Sequence, residues 1–162
     1  MLMNLRSVVV GLAVLFAATA ASEEPKRDPR TQLEFFIGTW TIAGEESYRE
    51  MCRWAPGKRA VICETSGGFS IFGFSAHQNA YTHYALSREG VLETLYGWVT
   101  EKQWDFVGQT ENAGEYKRVK VTLTPTKAGF TFRQDVSING GSWTKEHDFE
   151  YVRLSSATEA SK

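Results

Sequence analysis

The sequence has 162 residues, with 18 basic and 19 acidic side chains and a formal net charge of −1. A chain of this length is typical of a single domain. Its lysines and arginines are interleaved with aspartates and glutamates, so it lacks the clustered positive charge that nucleic acids and anionic membrane surfaces attract. We therefore expect neither of them as a partner.

The first 20 residues have the pattern of a secretory signal peptide. Arg6 supplies a positive charge, an apolar stretch runs from Ser7 to Phe16, and small residues typical of a cleavage site follow at Ala18-Thr19-Ala20. The apolar stretch is shorter than the roughly 20 residues that span a bilayer. We expect cleavage after Ala20 or Ala21 and a periplasmic or secreted mature protein that is not inserted in a membrane. The alternative is an uncleaved N-terminal anchor.

After this segment we expect a leader over residues 21–30, one domain over residues 31–154 and a flexible polar tail over residues 155–162. One short helix is predicted between Asp28 and Gly38. Asp28 can cap it, Pro29 suits its first position, and Gly38 suits its end.

Beyond Gly38 the apolar residues alternate with a period of two, and turn signals recur at short intervals. This pattern predicts an all-β fold, an antiparallel up-and-down β-barrel or a sandwich of about eight to ten strands. We predict strands near residues 39–44, 46–55, 59–66, 69–75, 80–87, 91–99, 102–110, 116–124, 129–138 and 142–153.

The chain has two cysteines, Cys52 and Cys63, separated by a Pro-Gly turn signal. With residues 56–59 as the loop, the two cysteines lie opposite each other in an antiparallel pair, close enough for a disulfide. In an exported chain this pairing is favoured over two free thiols. Half of a zinc site is disfavoured because no second pair of ligands completes it, and we predict no metal.

The last predicted hairpin places two polar residues on an aromatic face. With residues 139–142 as the loop, Gln134 pairs with His147, and Val136 pairs with Lys145. The same register puts on one face Ile138, Trp143, Phe132, Phe149, Phe130 and Tyr151. We therefore expect His147 and Gln134 to point into an aromatic interior. Glu146 falls on the opposite, polar face.

The hairpin over residues 81–99 has no clearly polar face. With residues 87–90 as the loop, His83 pairs with Thr94, and Tyr81 pairs with Tyr96, with Trp98 on the same side. The sequence leaves open which side faces inward. Composition is equally compatible with a barrel that its side chains fill and with one that holds a small ligand.

The stretch from Leu33 to Trp40, LEFFIGTW, resembles the opening of lipocalin and calycin barrels, where a short helix precedes a G-x-W motif at Gly38 and Trp40. The chain is most similar to the lipocalin-like domain of exported bacterial proteins, which ends on an aromatic-x-Arg strand, here Tyr151-Val152-Arg153. The resemblance implies a lipocalin-like barrel in which Trp40 stacks on Arg153. It implies no established activity.

The function we predict is binding of a small apolar or amphipathic molecule inside an aromatic-lined barrel. No catalytic residue and no cofactor is predicted. The alternatives are a structural module with a filled barrel, or an acid–base enzyme in which His147 works with Glu93. The resemblance also extends to small haem-binding barrels with a C-terminal histidine, which makes His147 a candidate haem ligand. The predicted ligand-binding residues are His147, Gln134, Phe132, Phe149, Tyr151, Trp143, Tyr96 and Trp98. The predicted structural residues are Trp40, Arg153, Gly38, Cys52 and Cys63.

Overall fold

The computed structural model describes residues 28–100, 103–112 and 115–154. The predicted signal peptide and tail, and most of the predicted leader, lie outside these ranges. Within the described residues, no helix is both long enough and apolar enough to cross a membrane.

The described chain forms one 3₁₀ helix and ten strands, as the periodicity predicts, and every strand boundary lies within two residues of its expected position. The helix spans Pro29–Phe36. The strands are β1 (Gly38–Ile42), β2 (Glu45–Trp54), β3 (Ala60–Thr65), β4 (Gly68–Ser75), β5 (Ala80–Ser87), β6 (Leu92–Val99), β7 (Trp104–Asn112), β8 (Glu115–Pro125), β9 (Gly129–Ile138) and β10 (Thr144–Arg153).

All neighbouring strands are antiparallel and the sheet closes into a barrel, because β1 pairs with both β2 and β10. The helix begins as predicted: the Asp28 carboxylate accepts a hydrogen bond from the Arg30 backbone N–H at 3.0 Å. Leu33 and Phe36 are buried, and the Tyr81 hydroxyl donates to the Pro29 carbonyl at 2.8 Å. The helix therefore packs against one end of the barrel.

Trp40 and Arg153 meet across the β1–β10 pair, which closes the barrel. The Arg153 guanidinium carbon lies 4.4 Å from the centre of the Trp40 ring, so the predicted stack is confirmed. The indole N–H donates to the Phe36 carbonyl at 2.8 Å, which ties the helix to the sheet. Gly38 has a φ of +137°, and a Cβ there would lie 2.8 Å from Arg153 Nη1. Glycine therefore lets the arginine reach the tryptophan.

The predicted disulfide between Cys52 and Cys63 is confirmed. The two residues are paired across β2 and β3, and their sulfurs are bonded. Both side chains are buried and point into the barrel. A disulfide fits an oxidising compartment.

The predicted register of the 81–99 hairpin is wrong by one residue. His83 pairs with Leu95 instead of Thr94, and Tyr81 pairs with Gly97 instead of Tyr96. The cause is the loop: Leu86 pairs with Leu92, which leaves five residues between them instead of an even number. A shift of one residue moves each side chain of a strand to the other face. Tyr96 and Trp98 therefore lie outside the barrel, and Trp98 is 54% exposed.

The last hairpin follows the prediction only up to a β-bulge. The pairs of Gln134 with His147, Phe132 with Phe149, and Phe130 with Tyr151 are confirmed. The bulge lies between Lys145 and His147, so Val136 pairs with Thr144 instead of Lys145. Ile138 shares the inner face of β9 with Val136 but lies at the exposed end of that strand, whereas the bulge turns Trp143 to the outside. They are 43% and 45% exposed, and the Trp143 ring lies 5.3 Å from the Arg118 guanidinium carbon.

Candidate functional site

The barrel contains a cavity of about 260 Å³ that is partly open to the outside and that we call the chamber. Most of its wall is apolar, and much of it is aromatic. Its aromatic lining residues are Phe36, Trp40, Phe69, Phe72, Phe106, Phe130, Phe132 and Tyr151. The volume is slightly below the roughly 300–1,000 Å³ of pockets for drug-sized ligands. A space of this size and lining suits a small, mainly apolar molecule.

Among the described residues that line the chamber, one is acidic, Glu50 on β2. The Tyr48 hydroxyl donates to its carboxylate at 3.2 Å and lies 3.0 Å from the Tyr151 hydroxyl. Burial raises the pKa of Glu50, while hydrogen bonds from Tyr151 and Tyr48 oppose that rise. Burial and the nearby Glu50 charge also raise the pKa of both tyrosines, which keeps them protonated at neutral pH. The cluster is one carboxyl group held by two phenols.

Cys52 and Cys63 also line the chamber, beside Glu50. The Glu50 carboxylate and the two sulfurs lie within 4.8 Å of one another, the one grouping of three potential metal ligands in the described part of the chain. Both sulfurs are consumed by the disulfide, and metals require free thiolates. This grouping therefore does not suit metal binding while the disulfide is intact.

His83 on β5 is a second polar group in the chamber wall. Its ring stacks on Phe72, with the centroids 4.4 Å apart, and lies 6.0 Å from the Phe106 ring. Burial lowers the pKa of His83 to about 4, so the imidazole is neutral at neutral pH. Its Nδ1 lies 3.8 Å from a Glu93 carboxylate oxygen, beyond hydrogen-bonding distance.

A polar cavity of about 390 Å³, which we call the mouth, adjoins the chamber at Ala85 and Ser87. It lies at the end of the barrel opposite the helix. Besides those two residues, it is lined by Val91, Glu93, Thr110, Glu115, Lys117, Gln134, Glu146 and His147. The apolar chamber and the polar mouth together suit an amphipathic ligand.

The groups of the mouth are paired through Glu146. Lys117 Nζ lies 2.7 Å from one of its carboxylate oxygens, and Gln134 Nε2 donates to the other at 2.9 Å. Glu146 was expected on the outer face, and the bulge in β10 brings it to the mouth. Burial opposes its ionisation, but the hydrogen bond and the charge of Lys117 outweigh burial and lower its pKa.

Glu93 lies between these groups and His83. Burial raises its pKa to about 7, the Glu146 charge adds to the rise, and Lys117 opposes it. Thr110 Oγ1 is the only buried side-chain polar atom among the described residues without a hydrogen-bond partner. The mouth thus offers an unsatisfied hydroxyl and a carboxyl group that titrates near neutral pH.

The predicted ligand-binding residues fall into three groups. Phe132 and Tyr151 line the chamber, and the Phe149 ring stacks on Phe132 with the centroids 4.9 Å apart. Gln134 and His147 lie at the mouth, and His147 is exposed there instead of being enclosed by aromatic rings. Tyr96, Trp98 and Trp143 lie outside the barrel. The placement of His147 does not favour a haem ligand in an apolar pocket, and Glu93, its suggested acid–base partner, lies beside His83.

Sequence reasoning missed Glu50, Tyr48 and His83. A signal for the first two was present: Tyr48, Glu50 and Cys52 are spaced two apart on one strand and therefore share a face. An inward disulfide at Cys52 places the other two inside. For His83 no such signal existed, because the orientation of its hairpin was open.

A comparison of the sequence with models of known protein families finds no match, and a comparison with curated proteins finds none either.

Proposed function

We propose that this protein binds a small apolar or amphipathic molecule, with its apolar part in the chamber. The observation that carries the proposal is the apolar, largely aromatic cavity of about 260 Å³ inside a closed barrel. A barrel filled by its own side chains, the main alternative, leaves no such space. Closed antiparallel barrels of this size suit ligands of this kind.

The proposal extends to the class and the location of the protein. The G-x-W motif, with Trp40 stacked on Arg153, supports membership of the lipocalin-like barrels. The signal-peptide pattern of residues 1–20 and the disulfide support a periplasmic or secreted protein. N-terminal sequencing of the exported protein tests the second point, because a mature chain that begins at Ala21 or Ser22 is expected. An intact Met1 would contradict it.

The binding test uses the neutral fluorescent probe N-phenyl-1-naphthylamine, whose emission rises in apolar surroundings. Ala85 lines both the chamber and the mouth, so A85F should narrow the chamber and weaken probe binding at least tenfold. V107F is the matched control, because Val107 is 41% exposed on the outer face. It should bind the probe as the wild type does.

Mass spectrometry of an organic extract of the exported protein identifies a natural ligand. A stoichiometric small molecule that is absent from A85F supports the proposal. If neither A85F nor V107F changes the affinity for the probe, the probe binds outside the barrel. That result would contradict the proposal.

A further inference from the structure

Among the residues that the structure describes, none is a cationic partner of the Glu50 carboxyl group. No lysine, arginine or histidine nitrogen in the described part of the chain lies within 4.0 Å of it. The acids that do form ion pairs there with a lysine or an arginine are Asp28, Glu64, Asp135, Glu146 and Asp148. Its polar contacts are the hydroxyls of Tyr48 and Tyr151. Withdrawing a carboxylate even partly from water without a positive partner is costly. A positively charged group bound in the chamber would offset that cost.

The other polar groups of the chamber do not supply this charge. Thr65, Ser70 and Ser87 offer neutral hydroxyls, and His83 is neutral at neutral pH. Among the described residues that line it, the chamber therefore has one group that can be negative and none that is positive. This charge balance disfavours a fatty acid or another anionic amphiphile, whose carboxylate would face Glu50.

The aromatic rings near Glu50 are also suited to a cation. The Tyr151 hydroxyl interacts with Glu50, and the Tyr151 ring stacks on Phe130 with the centroids 4.6 Å apart. The Trp40 ring, which carries the Arg153 guanidinium on one face, lies 5.0 Å from Phe130 in an edge-to-face arrangement. Aromatic faces attract ammonium groups, and more strongly where water is excluded.

We propose that the ligand of the chamber is an organic cation, a small apolar molecule with an ammonium group that pairs with Glu50 and is held by Tyr48 and Tyr151. This inference rests on the proposed binding function and names the chemical class of its ligand. The chamber volume restricts the apolar body to about the size of one or two rings.

The test compares three molecules of similar size by isothermal titration calorimetry at pH 7.5: 2-phenylethylamine, 2-phenylethanol and 3-phenylpropionate. We expect the wild-type protein to bind the amine at least tenfold more tightly than the alcohol, and the carboxylate least. In E50Q the preference for the amine over the alcohol should disappear while the alcohol binds as before. The glutamine side chain can still accept hydrogen bonds from Tyr48 and Tyr151.

E64Q is the matched control, because it makes the same change at an acid outside both cavities, where the Glu64 side chain is 51% exposed and paired with Arg53. E93Q tests the alternative anchor, since it neutralises the other acid with a raised pKa, at the mouth instead of beside the phenols. Both variants should keep the preference for the amine. If E93Q loses that preference and E50Q keeps it, the anchor is at the mouth and the inference is wrong. Should E50Q fail to fold, the wild-type ranking still decides, since equal binding of amine and alcohol overturns the inference.

The outcomes separate this inference from the proposed function. Binding of the alcohol or of N-phenyl-1-naphthylamine without a preference for the amine leaves the binding function standing and refutes the organic cation. The organic cation is also refuted, and the binding function stands, if none of the three molecules binds while the naphthylamine probe binds and A85F weakens its binding. Loss of all binding, with no extracted ligand, would refute both.

Discussion

Two titratable side chains with opposite pKa shifts lie side by side in the barrel, so their effects on stability should cancel until one is removed. The pKa of His83 is lowered from 6.5 to about 4, and that of Glu93 is raised from 4.5 to about 7. The side chains are only 12% and 17% exposed. Between pH 4.5 and 6.5 the native pair retains one proton, whichever residue holds it. The unfolded pair also retains one, on histidine, so the wild type gains no pH dependence from it.

In E93Q only the histidine remains of this pair. Over this pH range the unfolded state binds a proton at His83 that the native state does not, so the free energy of unfolding should rise with pH. Because the pKa shift of His83 is larger than this range of two pH units, the free energy of unfolding should rise by about 2–3 kcal/mol across the whole range. In H83Q only the carboxyl remains. The native state then holds a proton at Glu93 that the unfolded state has lost, and stability should fall with pH by a similar amount.

The assay is urea unfolding followed by tryptophan fluorescence at pH 4.5, 5.5 and 6.5. The double variant H83Q/E93Q gives the background from all other groups, and the wild type should run parallel to it. Only the slope of the unfolding free energy against pH is diagnostic. Its absolute value also changes in H83Q, because that variant removes a ring stacked on Phe72. Single variants whose curves run parallel to the double variant would refute the reasoning, since neither group would then be shifted by burial.

Three further predictions concern the frame of the site. The double variant C52A/C63A should lose about 3 kcal/mol of unfolding free energy in urea, because the disulfide closes a loop with a sequence separation of 11 residues. The wild-type protein with its disulfide reduced should show the same loss. A loss below about 1 kcal/mol would contradict the argument from loop closure. G38A should lose about 2–3 kcal/mol in the same assay, since its φ of +137° is strained for alanine and the new Cβ meets Arg153; a neutral effect would mean that the arginine moves away at no cost. W98A should bind the naphthylamine probe within twofold of wild type, because Trp98 is 54% exposed outside the barrel; a tenfold loss would place the probe on the outer surface.

The sequence by itself was sufficient for the strand pattern and for several contacts. Alternation of apolar residues is a local property, and it predicted all ten strands. The Cys52–Cys63 pair followed from one turn with an even number of residues. The contact of Trp40 with Arg153, which joins the first and last strands, followed from the resemblance to lipocalin-like barrels.

Which side chains enter the barrel was decided only by the tertiary structure. The face of a strand depends on whether the number of residues in each loop is odd or even, and on bulges. One extra residue before Leu92 turned Tyr96 and Trp98 outward, and the bulge before His147 brought Glu146 to the mouth. Periodicity cannot settle these choices where both faces of a hairpin are rich in apolar residues. The placement of Glu50 among aromatic rings arises in the same way, because its surroundings come from strands far apart in sequence that meet only when the barrel closes.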